Sequence, residues 1–237
     1  MEALIIAAGK GSRLNHFSCP KPLIPILGHP LIEHIIQRVR KTGITQIKIV
    51  VGYKADQLQK TIGNGERWGV RIDYIHNPEW TKGNGISVYV AKDCIKDNFV
   101  LLMGDHVFDS SILDQLLRTQ TEQSVCLLGV DHKVEGDHID VNEATRVWVE
   151  NHRIRQIGKG LNPYNGVDTG IFLYSSFIFE ALKENFSKGK DLLTDANRTL
   201  SEREKLLSMD IGTRLWVDVD DKKTLNQAEN MLSQKRF

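Results

Sequence analysis

The chain has only three cysteines, Cys19, Cys94 and Cys126, far apart and without a C-x-x-C spacing. That excludes a disulfide framework and a structural zinc site, and it suits a reducing compartment. Charge of one sign is missing too: 31 Lys and Arg stand against 30 Asp and Glu. No global field gathers nucleic acid or an anionic membrane, although a local basic pocket stays open. No apolar run reaches membrane-spanning length; the longest, near Ile47–Val51 and Phe99–Met103, are strand-length. The N-terminus lacks a signal peptide's basic start and long apolar stretch, so a cytoplasmic location is expected. With 6 Pro and 19 Gly in 237 residues, a fibrous or disordered chain is excluded.

What is present is an alternation of short apolar runs with amphipathic segments, the pattern of a mostly parallel sheet with helices on both faces. Ala3–Ala7 reads as the first buried strand, followed by an ordered loop from Gly9 to Pro25. Further strands are expected at Gln46–Val51, Arg71–His76, Phe99–Met103, Val125–Val130, Thr169–Tyr174 and Leu215–Val219. Helices are expected after Pro30, at Ala55–Lys60, Gly85–Lys92, Ser110–Gln120 and Phe177–Phe186, and from Asp221 onward. Thr145–Glu150 and Arg153–Ile157 flank Asn151-His152, which reads as a tight β-hairpin. Without repeat, linker or low-complexity tract, residues 1–237 read as one domain.

The strongest motif is the first strand and its loop, Leu4-Ile5-Ile6-Ala7-Ala8-Gly9-Lys10-Gly11-Ser12-Arg13-Leu14, with Pro20-Lys21-Pro22-Leu23 just after. A Gly-rich turn leaving a buried strand can present backbone N–H groups to phosphate oxygens. The dinucleotide fingerprint fails, because Leu14 stands at the third glycine and the second strand ends without a ribose-binding acid. The P-loop fails as well, since no G-K-[ST] has the required spacing. An ordinary flexible turn is the bland alternative. Asp105 follows a buried strand, where open α/β sheets bind ligands. Asp218 also ends a strand; two carboxylates together suit Mg²⁺, which prefers a few carboxylates plus phosphate oxygens and water. Asp220 is read as the cap of the C-terminal helix. Asp218-Val219-Asp220 also spells the D-x-D of glycosyltransferases, a reading that Arg13 and Lys21 disfavour.

The combination A-A-G-x-G-S-R-L with P-K-P-L resembles the sugar-phosphate-type nucleotidyltransferases. Lys82-Gly83-Asn84-Gly85-Ile86-Ser87 is similar to the K-G-N-G-x-S stretch of the CTP:inositol-1-phosphate cytidylyltransferases. Met103–Val107, Glu143–Val147, Ile157–Lys159, Val167–Gly170 and Trp216–Asp220 match that group in order, over nearly the whole chain. The resemblance implies a Rossmann-like, GT-A-type single-domain fold with a small β-hairpin extension. It implies transfer of CMP from CTP to inositol 1-phosphate, with Mg²⁺ and release of pyrophosphate. It places Arg13 and Lys21 in catalysis and Asp105 and Asp218 on the metal. Ala7, Ala8, Gly9, Gly11, Ser12, Lys82, Asn84, Gly85, Ser87 and Asp105 would hold the nucleotide, and Glu143, Lys159 and Asp168 the acceptor. No nucleic acid or membrane partner is implied; a homo-oligomer is left open. Some members of the group carry a membrane-embedded CDP-alcohol transferase after this domain; the chain ends at Phe237, so that activity is not expected. Alternatives are another acceptor (a hexose 1-phosphate, phosphocholine or a phosphonate) with CTP or UTP, or an inactive nucleotide-binding regulatory module. Val130–Val141, with His132, Asp137, His138 and Asp140, is longer than the group leads one to expect and reads as a solvated loop. His16, His29 and His34 are assigned to loops and surface, and Trp68, Trp80 and Trp148 to packing.

Overall fold

The computed structural model describes residues 1–14, 17–119, 124–134, 140 and 143–234. Its first half comprises β1 (Glu2–Ile6), β2 (Pro25–Ile26), β3 (His29–Pro30), α1 (Leu31–Lys41), β4 (Gln46–Val51), α2 (Ala55–Ile62), β5 (Arg71–His76), α3 (Asn84–Tyr89), β6 (Phe99–Met103), β7 (His106–Phe108) and α4 (Ser110–Arg118). The second half comprises β8 (Cys126–Asp131), β9 (Arg146–Glu150), β10 (Arg153–Gly158), β11 (Gly166–Tyr174), α5 (Phe177–Phe186), α6 (Leu193–Glu202), β12 (Leu206–Asp210), β13 (Trp216–Asp218) and α7 (Lys222–Ser233).

Among the described residues nine strands form one sheet, in the order β5-β4-β1-β6-β11-β8-β12-β10-β9. The first four are parallel, as the apolar runs require of strands buried on both faces. Beyond them the sheet is mixed: β11 is antiparallel to β6 and β8, and β10 to β12 and β9. The hairpin falls where expected, and Asn151 and His152 both take positive φ, 49° and 60°, as a two-residue turn matched to strand twist demands. Among the described residues no helix is long and apolar enough to cross a membrane.

Period-two alternation sorts the side chains into two layers. Ala3, Ile5, Val100 and Leu102 join the core under α1, α2, α4 and α7. Leu4, Phe99, Leu101, Phe172 and Tyr174 join the core under α3, α5 and α6. The hydrophobic pattern anticipates neither α6 nor β12. Two histidine readings divide: His29 is exposed, but His34 is buried, with a ring nitrogen 3.0 Å from the Ile26 carbonyl. Burial first, with Arg38 nearby, holds the His34 pKa below its ordinary value. His16 lies outside the described residues.

Candidate active site

The loop after β1 is fixed to the end of β4. Ala7 donates its N–H to the Val50 carbonyl and Tyr53 donates to the Ala8 carbonyl, both at 2.9 Å. No backbone acceptor among the described residues takes the N–H groups of Gly9, Lys10 or Gly11, which leaves them free for an anion. Gly11 has φ +65°, and a Cβ on it would lie 2.6 Å from the Lys21 Cβ. Only glycine lets the loop close over that lysine. Lys21 opens a 3-10 turn, Lys21–Leu23, and its side chain is 7 % exposed. Its Nζ donates to Asp105 Oδ2 and Asp220 Oδ1, each at 2.6 Å, and lies 3.5 Å from Asp218 Oδ1. Burial opposes the charge, but the three carboxylates outweigh it and hold the Lys21 pKa well above the ordinary lysine range.

Asp105 stands in the turn between β6 and β7, and Asp218 ends β13. The two short strands β7 and β13 pair antiparallel, with Asp218 opposite His106. Asp218 and Asp220 are two residues apart on extended chain and both face Lys21. The reading of Asp220 as a helix cap is therefore corrected. Asp221 caps α7, accepting from the Thr224 N–H at 2.8 Å in a capping box. Asp220 also pairs with Arg13 at 3.1 Å.

His106 is buried, with Nδ1 2.9 Å from the Thr169 carbonyl and Nε2 3.6 Å from both Asp105 Oδ1 and Asp218 Oδ1. Burial works against its charge, yet Asp218 and Asp105 outweigh it and lift the imidazole to about 9. Asp105, His106 and Asp218 bring ligand atoms within 4.8 Å of one another, a group able to hold a divalent metal. Asp218 Oδ1 is buried and receives no hydrogen bond. A buried carboxylate oxygen that has ion-pair partners at 3.5 and 3.6 Å but no hydrogen bond, beside a second carboxylate, fits a cation.

Two cavities meet here. The smaller, about 260 Å³, runs along the Gly-rich loop past Ala7, Gly9, Gly11 and Lys21. The larger, about 300 Å³, is bounded by Asp168, Glu143, Lys159, His106 and Asn84. Arg13, Asp105 and Asp220 line both. Lys159 and Arg13 lie 3.6 and 3.8 Å from Glu143 Oε2. Asp168 sits where β11 bulges away from β8, which turns its carboxylate into the larger cavity. Its Oδ1 accepts from the Gly170 N–H at 2.7 Å, and burial pushes its pKa up to about 6. Gly170 has φ +73°, and a Cβ on it would lie 2.6 Å from the His106 ring.

The sequence-derived nucleotide set is only partly brought together. Ala7, Gly9, Gly11 and Asp105 line the smaller cavity. Ala8 is buried, its carbonyl taken by Tyr53, and Ser12 begins a short 3-10 turn. Lys82 is exposed, pairs with Glu79 and lines neither cavity. Gly85 donates to the Asp191 carbonyl at 3.0 Å, and Ser87 is buried, accepting from Asn77 at 2.9 Å. Asn84 belongs to the larger cavity instead. Trp80 packs against Tyr53, ring centroids 5.4 Å apart. Of the 130–141 segment, residues 135–139 and 141 lie outside the described set; His132 is tied to the Asn165 carbonyl and Asp140 lines the larger cavity. The residues that sequence reasoning missed here are His106 and Asp220. The signal for Asp220 was its even spacing from Asp218; His106 carried none.

The sequence profile of the family described as nucleotidyl transferase matches residues 2–235. A bifunctional IPC transferase and DIPP synthase of Rubrobacter xylanophilus is 31% identical over 232 residues, 97% of this chain and 51% of that protein. The protein of the same name from Aquifex aeolicus gives the same identity and coverage. The chain thus spans about half the length of these curated relatives. The solved structure of an inositol-1-phosphate CTP transferase from T. maritima superposes with a TM-score of 0.85 at 26% identity, covering 99% of this chain and 96% of that one.

Proposed function

This chain belongs to the nucleotidyl transferase family, and we propose that it acts in the cytoplasm, as a single domain, to transfer CMP from CTP to inositol 1-phosphate. The products are CDP-inositol and pyrophosphate. The observation that carries the reading is the junction of two cavities at Arg13, Asp105 and Asp220, with Lys21 buried beside them. One cavity has backbone N–H groups without an acceptor among the described residues, suited to a polyphosphate. The other has a lysine and carboxylates suited to a phosphorylated polyol, since each carboxylate can receive hydrogen bonds from several hydroxyls.

In the reaction an oxygen of the acceptor phosphate attacks the α-phosphorus in line. The bond to the bridging oxygen breaks, and pyrophosphate leaves with the electron pair. No general base is needed, because the phosphate dianion is already a nucleophile. Repulsion between two polyanions dominates the barrier, so fixed cations at the junction lower it. Arg13, with a side chain 53 % exposed, can reach the phosphates of the nucleotide. Lys21 adds positive charge where the α-phosphate and the acceptor phosphate meet. Lys159 holds the acceptor phosphate, and Glu143 and Asp168 take its hydroxyls. Asp105 and Asp218 would hold Mg²⁺, which when bound neutralises phosphate charge and fixes the phosphates for in-line attack.

The preference for CTP is supported by the likeness to the solved inositol-1-phosphate CTP transferase. The test is a matrix of CTP, UTP, ATP and GTP against inositol 1-phosphate, glucose 1-phosphate and phosphocholine, read by pyrophosphate release and product mass. CDP-inositol is the expected dominant product. Equal kcat/KM for CTP and UTP would refute the base assignment, and a dominant product other than CDP-inositol would refute the acceptor.

A further inference from the structure

The first turns of α6 bring another kind of recognition group to the larger cavity. Asn197 lines that cavity while being only 1 % exposed. Its Oδ1 accepts a hydrogen bond from the Tyr174 hydroxyl at 2.6 Å. Tyr174 is fully buried, and burial above all pushes its phenol far above the ordinary range, so the proton stays on. That proton has no other acceptor among the described residues. Turning the amide over would leave it buried and unpaired, so Asn197 must face Tyr174 with its oxygen. Its NH₂ group then points to the cavity, with no protein acceptor among the described residues.

Asn84 repeats the arrangement. Its Oδ1 accepts from the Leu193 N–H at 2.9 Å, a group that can only donate. Its NH₂ group likewise has no acceptor among the described residues. The segment before α6 is clamped as well: Asp191 accepts from Gly83 N at 2.9 Å and Gly85 N at 3.0 Å. Two pinned carboxamides therefore offer donors on one side of the cavity, while Glu143 and Asp168 offer acceptors. A hydroxyl both donates and accepts, so such a cavity fits a molecule carrying several of them.

We propose that Asn197, positioned by Tyr174 and partnered by Asn84, reads the hydroxyls of the acceptor. This rests on the acceptor reading given above. The experiment measures kcat and KM separately for acceptor and CTP in wild type, Asn197→Ala, Asn84→Ala and Tyr174→Phe. Inositol 1-phosphate, glucose 1-phosphate and phosphocholine are the acceptors, and the variants are assayed with the best one. Asn197→Ala is expected to raise the acceptor KM at least tenfold with the CTP KM within twofold. Tyr174→Phe, which removes one oxygen atom, should raise the acceptor KM severalfold with the same selectivity, and it carries the test if Asn197→Ala does not fold. A folded Tyr174→Phe or Asn197→Ala enzyme with unchanged acceptor KM, or with both KM values raised alike, overturns the proposal. So does a wild-type preference for phosphocholine. A preference for glucose 1-phosphate would overturn the inositol assignment while supporting the reading of hydroxyls. Absence of pyrophosphate with every acceptor overturns both.

Discussion

Replacing Lys21 by Met removes one positive charge and keeps the length of the side chain. Three carboxylates then face one another: Asp105 and Asp220, each 2.6 Å from the lost nitrogen, and Asp218 at 3.5 Å. Breaking a buried ion pair on one side costs about 3–5 kcal/mol, because the partner charge is left uncompensated. These carboxylates are 28–41 % exposed, so water screens part of the repulsion and the expected loss is about 2–4 kcal/mol. For a chain of this size that lowers Tm by roughly 5–15 °C in buffer with a chelator. The same carboxylates become a better cation site once the lysine is gone. Mg²⁺ at a hundredfold excess over its Kd should return about 2.7 kcal/mol, and more stability in Lys21→Met than in wild type. Catalysis should not return with it: loss of a fixed charge at the transition state costs about 2.7–4 kcal/mol, on the order of 100-fold or more in kcat. Thermal melts in chelator and in a Mg²⁺ series, with steady-state rates alongside, decide the matter. A Lys21→Met protein that melts with wild type in chelator, or gains no more from Mg²⁺ than wild type does, would refute the charge-cage argument.

Asp105→Asn and Asp218→Asn should each lower kcat at least 100-fold with unchanged circular dichroism, and should lose Mn²⁺ binding measured by electron paramagnetic resonance. Asp168→Asn tests a pH dependence. The folded pKa is raised from 3.8 to about 6, so the stability given by the protonated form is complete below pH ~4 and lost as pH rises through about 6. The Asn variant keeps the acceptor for Gly170 and should match wild type at pH 4. At pH 8 it should be more stable by about 1–2 kcal/mol, less than the full shift implies because the cavity admits water. Urea melts at the two pH values measure this, and an equal difference at both would defeat it. Gly170→Ala should cost about 1–3 kcal/mol, since it combines a positive φ with a collision on His106; chemical denaturation gives the value.

The parallel half of the sheet was legible because its strands are buried on both faces and therefore read as unbroken apolar runs. Phe99–Met103 and Gln46–Val51 fall at the expected residues. α6 was not legible, because its inward positions include Asn197, Thr199 and Ser201, residues that favour turns and caps over helix interiors. Their burial is satisfied by tertiary partners, such as Tyr174 for Asn197, Asn185 for Thr199 and the Ile154 carbonyl for Ser201, and no local window contains those partners. The charged part of the site divides the same way. Arg13, Lys21, Asp105 and Asp218 stand at strand ends and in or just after the Gly-rich loop, where position points to ligands, while their separate roles came from the family resemblance. The assignment of Asp220 turned on a single residue: in Asp218-Val219-Asp220-Asp221 the cap belongs to Asp221. Asn84 was read as a nucleotide-binding residue, whereas it lines the larger cavity, where the Leu193 N–H, more than a hundred residues away in sequence, donates to its Oδ1.

The spacing of Lys21 and its partners along the chain also bears on how the protein is made. Lys21 lies 84 residues before Asp105 and 199 before Asp220. During synthesis the lysine emerges first, and the carboxylates of the β13 end follow only after every strand of the large sheet has been translated. The strand β11 separates β6 from β8 in the sheet but follows both in sequence, so β6 can pair with β1 early, while neither β6 nor β8 has both of its neighbours until β11 is available. Domains of this kind, rich in distant pairings, fold slowly, because loop closure precedes the contacts that reward it. A nascent chain stalled after β6 can hold the Gly-rich loop and parallel strands, but the charge cage is still open. It can close only once the β13 end has reached Lys21, whose two partners there, Asp218 and Asp220, lie 3.5 and 2.6 Å from its nitrogen.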